Sequence, residues 1–317
     1  MRVVFVVVTA LLALVVATAC QSTRHARRHE GVTLSTVDAT AIVDAFEAQQ
    51  ASPTRPLRAP TTTDEALAIL KSDRLDAFAD VVAFLENLIV VDRTDTQIAA
   101  DASLMAQAQL AWGEAELMIA EILSREATAL DASVRADRAA GLPEAALAPR
   151  IAQVATWRRT DEALRLLAAD HVDTGARNAD LAVGLLPDDY VGYRVAADAA
   201  RLTNRWSRFE EFVARVEAVR PDSNGLRFLR GVQAWTQQSD RDVASFELHD
   251  AVENDPDFIR ARAWLVVIAP AGAPQLVALA ELAAASPDHQ IVRWAGPAIR
   301  RNAHQNAQAP VQKQTKP

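Results

Sequence analysis

Four Pro-Asp pairs constrain this chain more than any other feature. Pro187, Pro221, Pro256 and Pro287 are each followed by aspartate (Asp188, Asp222, Asp257 and Asp288), at intervals of 34, 35 and 31 residues. Proline lacks the N–H that a helix interior uses, and an aspartate carboxylate can accept from the free N–H groups of a following first turn. An amphipathic stretch precedes each pair: "ARNADLAVGLL", "RFEEFVARVEAVR", "VASFELHDAVEND" and "QLVALAELAAAS". Another follows each of the first three: "YVGYRVAADAARL", "GLRFLRGVQAWTQQ" and "IRARAWLVVIA". The unit is therefore two helices of about a dozen residues with short turns, at a period of ~34 residues. This predicts an all-α chain of antiparallel helix pairs stacked side by side. Composition agrees. Only 10 of 317 residues are glycine, while alanine and leucine, which lose little entropy in helices, are abundant.

The unit resembles the tetratricopeptide repeat, a family whose helix pairs stack into a solenoid. With Pro221 as the terminal proline, Tyr193 takes the early aromatic position and Ala196-Ala197 the Leu-Gly pair. With Pro256 there, Gly231 takes a small-residue position, and Ala244 and Ala251 take the two second-helix alanines with one residue inserted. Arg227 and Arg262 stand where Trp or Tyr is usual, and Phe209 replaces a small residue, so the repeats are degenerate. The resemblance implies a concave face lined by first helices. Arg194, Asp198, Arg201, Phe228, Trp235 and Arg260 would project there, as an Arg and aromatic groove for an extended peptide or chain terminus. It also implies protein partners. The tryptophans Trp206, Trp235, Trp264 and Trp294 fall out of phase with the proline frame and read as packing residues.

The start of the chain carries a different message. After Met1-Arg2 comes the apolar run "VVFVVVTALLALVVATAC", ending at Cys20, the one cysteine. A positive start, an apolar stretch and small residues before the cysteine form the pattern of a secretory leader. "VATAC" resembles a bacterial lipobox, whose cysteine is acylated and becomes the first mature residue. An ordinary signal peptide, or an uncleaved anchor at the short limit for spanning, are the other readings. The lipoprotein resemblance implies a membrane anchor at Cys20. Gln21, with no aspartate after the cysteine, fits the periplasmic face of an outer membrane.

The expected organisation is a signal peptide at 1–19, a polar tether at 20–35 and an N-terminal helical region at 36–155. Tetratricopeptide-like repeats at 156–300 and a disordered tail at 301–317 complete it. In the helical region Ser35 or Thr36 is a candidate N-cap, and Asp95 can cap a long helix. Three prolines in "ASPTRPLRAPTTTDE" break the first helix and favour extended chain. Leu75, Phe78, Val82, Leu85 and Ile89, then Leu110, Leu117, Ile119 and Ile122, are candidate core.

Chemistry is sparse. HExxH, a Gly-rich phosphate loop and GxSxG do not occur, and a lone cysteine excludes clustered-thiolate metal sites. His171 and Asp173 are a possible ligand pair, read as a solvated loop at a helix end. Glu114 and Glu116, or Glu210 and Glu211, are read as solvated helix faces. No cofactor or metal is expected, and a net charge of −8 argues against nucleic-acid binding. The leading expectation is a non-catalytic, lipid-anchored periplasmic adaptor that binds envelope proteins or peptides. The alternative rests on "FLENLIVVDRTDTQIAADASLMAQAQLAWGEAEL", which is similar to the N-terminal helices of T-component lipoproteins of tripartite periplasmic transporters. That similarity implies a solute-transport accessory. A hidden enzyme would need a buried cluster of perturbed carboxylates.

Overall fold

The structure is a computed structural model that describes residues 34–49, 58–88 and 94–308. Cys20, the leader at 1–19, most of the 20–35 tether, Ile89 and residues 309–317 lie outside the described residues. The chain divides into two compact units, Met1–Ser35 and Thr36–Pro317, and every helix among the described residues belongs to the second.

The protein is all-α. Among the described residues there are twelve α-helices, one π-helical turn and no strand. Three helices come first: α1 (Thr36–Gln49), α2 (Thr63–Lys71) and α3 (Leu75–Asn87). Two long ones follow, α4 (Asp95–Ala139) and α5 (Glu144–Leu185). Six short ones make pairs: α6 (Tyr190–Leu202) with α7 (Trp206–Val219), α8 (Asn224–Thr236) with α9 (Arg241–Asn254), and α10 (Ile259–Ile268) with α11 (Ala273–Ala285). A π-helical turn (Ile291–Ala295) leads into α12 (Gly296–Gln308).

Helices α4 and α5 form an antiparallel hairpin of 45 and 42 residues. Their cross-contacts run in opposite directions along the two chains: Asp137 with Arg150, Asp131 with Arg158, Glu121 with Arg165, Glu116 with His171. Gly141 ends α4 at φ +88°, a conformation that costs glycine little. The two helices approach closely at Gly113 and Gly175. A Cβ at Gly113 would lie 2.9 Å from the Ala168 carbonyl, and one at Gly175 would lie 2.7 Å from Leu110 Cγ.

The boundary expected at 155/156 lies inside α5. Nothing between Pro149 and Pro187 interrupts the helix, so the stretch before the first Pro-Asp pair is 42 residues long, not a dozen. All four prolines lie in turns between helices. The capping residues differ from those expected. Asp189 accepts from Gly192 N at 2.7 Å, and Ser223 caps α8, so Asp188 and Asp222 are not the caps. At α4 the cap is Thr94, in a reciprocal capping box with Gln97, and Asp95 is the first helical residue. Helix α2 begins within the proline-rich segment expected to be extended; Thr62 caps it by accepting from Glu65 N. The expected disordered tail is helical from 301 to 308.

Helix α4 is the axis of this unit. Helices α2, α3, α5, α6, α10, α12 and the π-helical turn all contact it. Its buried residues follow no single stripe: Ala106, Leu110, Ala115, Met118, Ile119, Ile122 and Leu123 are all under 3% exposed. A helix apolar on all sides belongs in the interior. The beginning and end of the described unit also meet. Arg74 pairs with Asp288 at 3.5 Å, and Gln290 Oε1 accepts from Leu75 N at 3.1 Å. The fully buried His289 accepts from Ile291 N through Nδ1, and its Nε2 lies 3.2 Å from both Asp73 Oδ2 and Gln290 Nε2.

Candidate functional site

Among the described residues, a cluster of buried charge surrounds Glu114, in the middle of α4. Glu114 is 0% exposed. Oε1 accepts from Arg201 Nη2 and from Trp264 Nε1, the latter at 2.9 Å. Oε2 accepts from Arg260. Asp198 joins the two arginines, with Arg201 Nε at 2.8 Å and Arg260 Nη2 at 2.8 Å. The Phe228 ring faces both guanidiniums, 5.6 Å from Arg201 and 5.0 Å from Arg260. Thus α4 supplies the carboxylate, α6 gives Asp198 and Arg201, α8 gives Phe228, and α10 gives Arg260 and Trp264.

Of the six residues expected on a concave face, five converge here or beside it: Arg194, Asp198, Arg201, Phe228 and Arg260. They do not line an open trough, because α4 lies against them and Glu114 takes the place a partner's carboxylate would have filled. Trp235 lies elsewhere, stacked under Arg241 of α9 at 5.4 Å. One residue per helical turn on α6 (194, 198, 201) and the start of α10 face the same axis, which is why the repeat register gathers them.

Electrostatics follows from this packing. Burial alone would raise the Asp198 carboxyl, but Arg201, Arg260 and Arg194 outweigh it and hold it below the usual carboxylate range. Burial works against the Arg260 charge, yet Asp198 and Glu114 hold its affinity for the proton above the ordinary value. Arg194 has the opposite balance. Burial pulls it below its ordinary value, and Asp198 offsets only part of that. It donates to Gln107 Oε1 at 2.7 Å and, among the described residues, forms no ion pair. The cluster therefore carries three guanidiniums against two carboxylates.

Glu114 and Glu116, expected on solvated faces, are both buried. The reason is visible in "LAWGEAELMIAEIL", where apolar residues occupy every face, and a carboxylate inside such a helix needs partners. Glu116 faces away from Glu114, toward α5. His171 Nδ1 lies 2.9 Å from its Oε2, and the His171 ring stacks on Trp112 with centroids 3.9 Å apart. His171 is thus in mid-helix rather than in a loop, and Asp173 is exposed, so the two do not form a ligand pair. Glu210 and Glu211 are exposed. No group of three or more His, Cys, Asp or Glu is placed to hold a metal among the described residues, and no helix there is long and apolar enough to cross a membrane.

Burial raises the Glu116 carboxyl, and His171 only partly offsets it. A carboxyl raised on folding contributes stability that is full below the unfolded value and is lost as pH rises through the folded value. Glu116→Gln is neutral throughout. Its melting temperature relative to wild type is expected to rise as pH increases above the ordinary carboxyl value of 4.5, read by circular dichroism. A constant or falling difference would contradict this assignment. Compared with protein-family models, with curated proteins and with solved structures, the chain gives no match.

Proposed function

We propose that this protein is a non-catalytic, lipid-anchored scaffold of the cell envelope, with helix pairs α6/α7, α8/α9 and α10/α11 as degenerate tetratricopeptide-like units. One observation carries this reading. The charged residues best suited to chemistry or to a ligand are engaged with one another through Glu114. Two arginines and a tryptophan indole, from two different helices, close on one carboxylate of the same chain. Such a cluster clamps helices, and what remains for partners is the outer surface. There Val219, Val243, Phe246 and Val277 stand exposed. Attachment at Cys20 and a position on the periplasmic face of an outer membrane belong to the same proposal, and they rest on the sequence pattern.

A second reading, a solute-transport accessory, is favoured by Arg194. It is a half-buried cation that hydrogen-bonds the Gln107 amide oxygen, and Asp198 offsets only part of its burial, a setting that suits an anionic solute.

The test is photo-crosslinking of the full chain in intact cells, from a benzoylphenylalanine placed at position 219. The scaffold reading expects adducts of discrete mass with another envelope protein. Cys20→Ser is expected to abolish both fatty-acid labelling and those adducts. Label persisting in that variant defeats the anchor, and a chain that yields no hetero-adduct defeats the scaffold.

A further inference from the structure

Helices α9 and α11 are neighbours on the outside of the unit, and between them lies a hollow of about 160 Å³. Its floor is apolar, made by Leu265 and Ile268 from α10, with Val277 on the α11 side. For scale, an apolar hollow of ~150 Å³ accepts a benzene molecule. The space suits one aromatic ring.

A ring stands beside it. Phe246 follows Ser245, a lining residue, by one position on α9, and it is 68% exposed. Val277, on the opposite lip, is 59% exposed. A phenyl group left in water next to a ring-sized hollow with an apolar floor is a knob beside a hole. The lining of the hollow also carries opposite charges. Arg241 lines it from the start of α9 and Glu281 lines it from α11, and neither forms an ion pair among the described residues.

These four features are self-complementary. A second copy of the chain presents the same exposed ring, the same hollow and the same Arg241 and Glu281. An isologous contact of this kind closes on itself, because the same patch serves both sides. We propose that the α9/α11 face is a homodimer interface in which Phe246 of each copy fills the α9–α11 hollow of its mate. A buried aromatic anchor in a pocket is the type of residue that dominates association energy. The scaffold would then present its outer surfaces in duplicate.

The experiment uses two differently tagged full-length chains co-expressed in cells, one with Phe246→Cys and the other with Val277→Cys. Mild oxidation is expected to give a disulfide-linked species of twice the chain mass that carries both tags. A Val219→Cys chain, exposed on α7, serves as the control partner for Phe246→Cys and is expected to give no such band. Equal bands from positions 277 and 219 would show random collision and overturn the proposal, as would no band at all. A second measurement guards against local distortion by the cysteines. Purified full chain in detergent micelles is expected to sediment as a dimer, and Phe246→Asp is expected to weaken association by roughly tenfold or more, since the loss of an anchor exceeds ~1.4 kcal/mol. Unchanged association in that variant overturns the proposal, and so does a wild-type chain that is monomeric at every concentration. Neither result depends on a hetero-partner, so failure here is distinguishable from failure of the scaffold reading.

Discussion

Glu114→Gln is expected to destabilise the protein by about 3–5 kcal/mol, the range for breaking one side of a buried ion pair. The reason is local. Glutamine retains the shape and one acceptor oxygen but removes the charge that Arg201 and Arg260 share. Three guanidiniums would then face the single carboxylate of Asp198, within a water-poor junction of α4, α6 and α10. At about 2–4 °C per kcal/mol for a domain of this class, the melting temperature falls by roughly 6–20 °C. Removing both carboxylates with the guanidiniums that pair with them is a different matter. A quadruple variant, Glu114→Leu and Asp198→Leu with Arg201→Met and Arg260→Met, leaves neither carboxylate without its cations. Replacing a buried ionic cluster by apolar groups of similar volume is often neutral or stabilising. The quadruple variant is therefore expected to recover much of the loss. If Glu114→Gln melts with wild type, the carboxylate does not clamp these helices.

The second large effect concerns the seam between α4 and α5. Gly113→Val is expected to destabilise by about 3 kcal/mol, the upper part of the range for overpacking a core. A Cβ at 113 would sit 2.8 Å from Val172 Cγ2 and 2.9 Å from the Ala168 carbonyl, so the second clash is with backbone and cannot be relieved by a rotamer change. The effect runs against local propensity, because alanine or another residue is worth up to ~1 kcal/mol over glycine in a helix. Gly184 supplies the control. It is in α5, a Cβ there meets nothing within 4 Å, and Gly184→Ala is expected to raise stability by up to ~1 kcal/mol. Equal effects at 113 and 184, read by thermal unfolding, would show that the two long helices do not approach at Gly113.

Both effects arise from α4, and its place explains why Asp198, Arg201 and Phe228 of the helix pairs are buried. Side chains that suit a partner's carboxylate in an open solenoid are engaged by an internal helix. Phe228 shows the same substitution. Its ring faces Arg201 and Arg260, which are themselves held by Glu114, so the aromatic surface expected for a ligand covers guanidiniums of its own chain. Trp235, one face away on α8, is left to pack under Arg241 near the outer hollow.

Local chemistry was enough to say where helices stop. Prolines that cannot continue a helix lie in turns at 187, 221, 256 and 287, and the apolar periodicity between them makes helices of the expected length from α6 to α11. The same register gathers Arg194, Asp198, Arg201, Phe228 and Arg260, because residues a turn apart share a face whatever that face meets. Capping was less legible, since Asp188 and Asp189, or Asp222 and Ser223, are chemically equivalent choices separated by one residue. What fills the inner face is a matter of long-range packing. Glu114 lies 87 positions from Arg201 and 146 from Arg260, and nothing in local spacing pairs a carboxylate with guanidiniums so far along the chain. Burial made the difference: an all-apolar helix must go inside, and a carboxylate carried inside with it must find cations there.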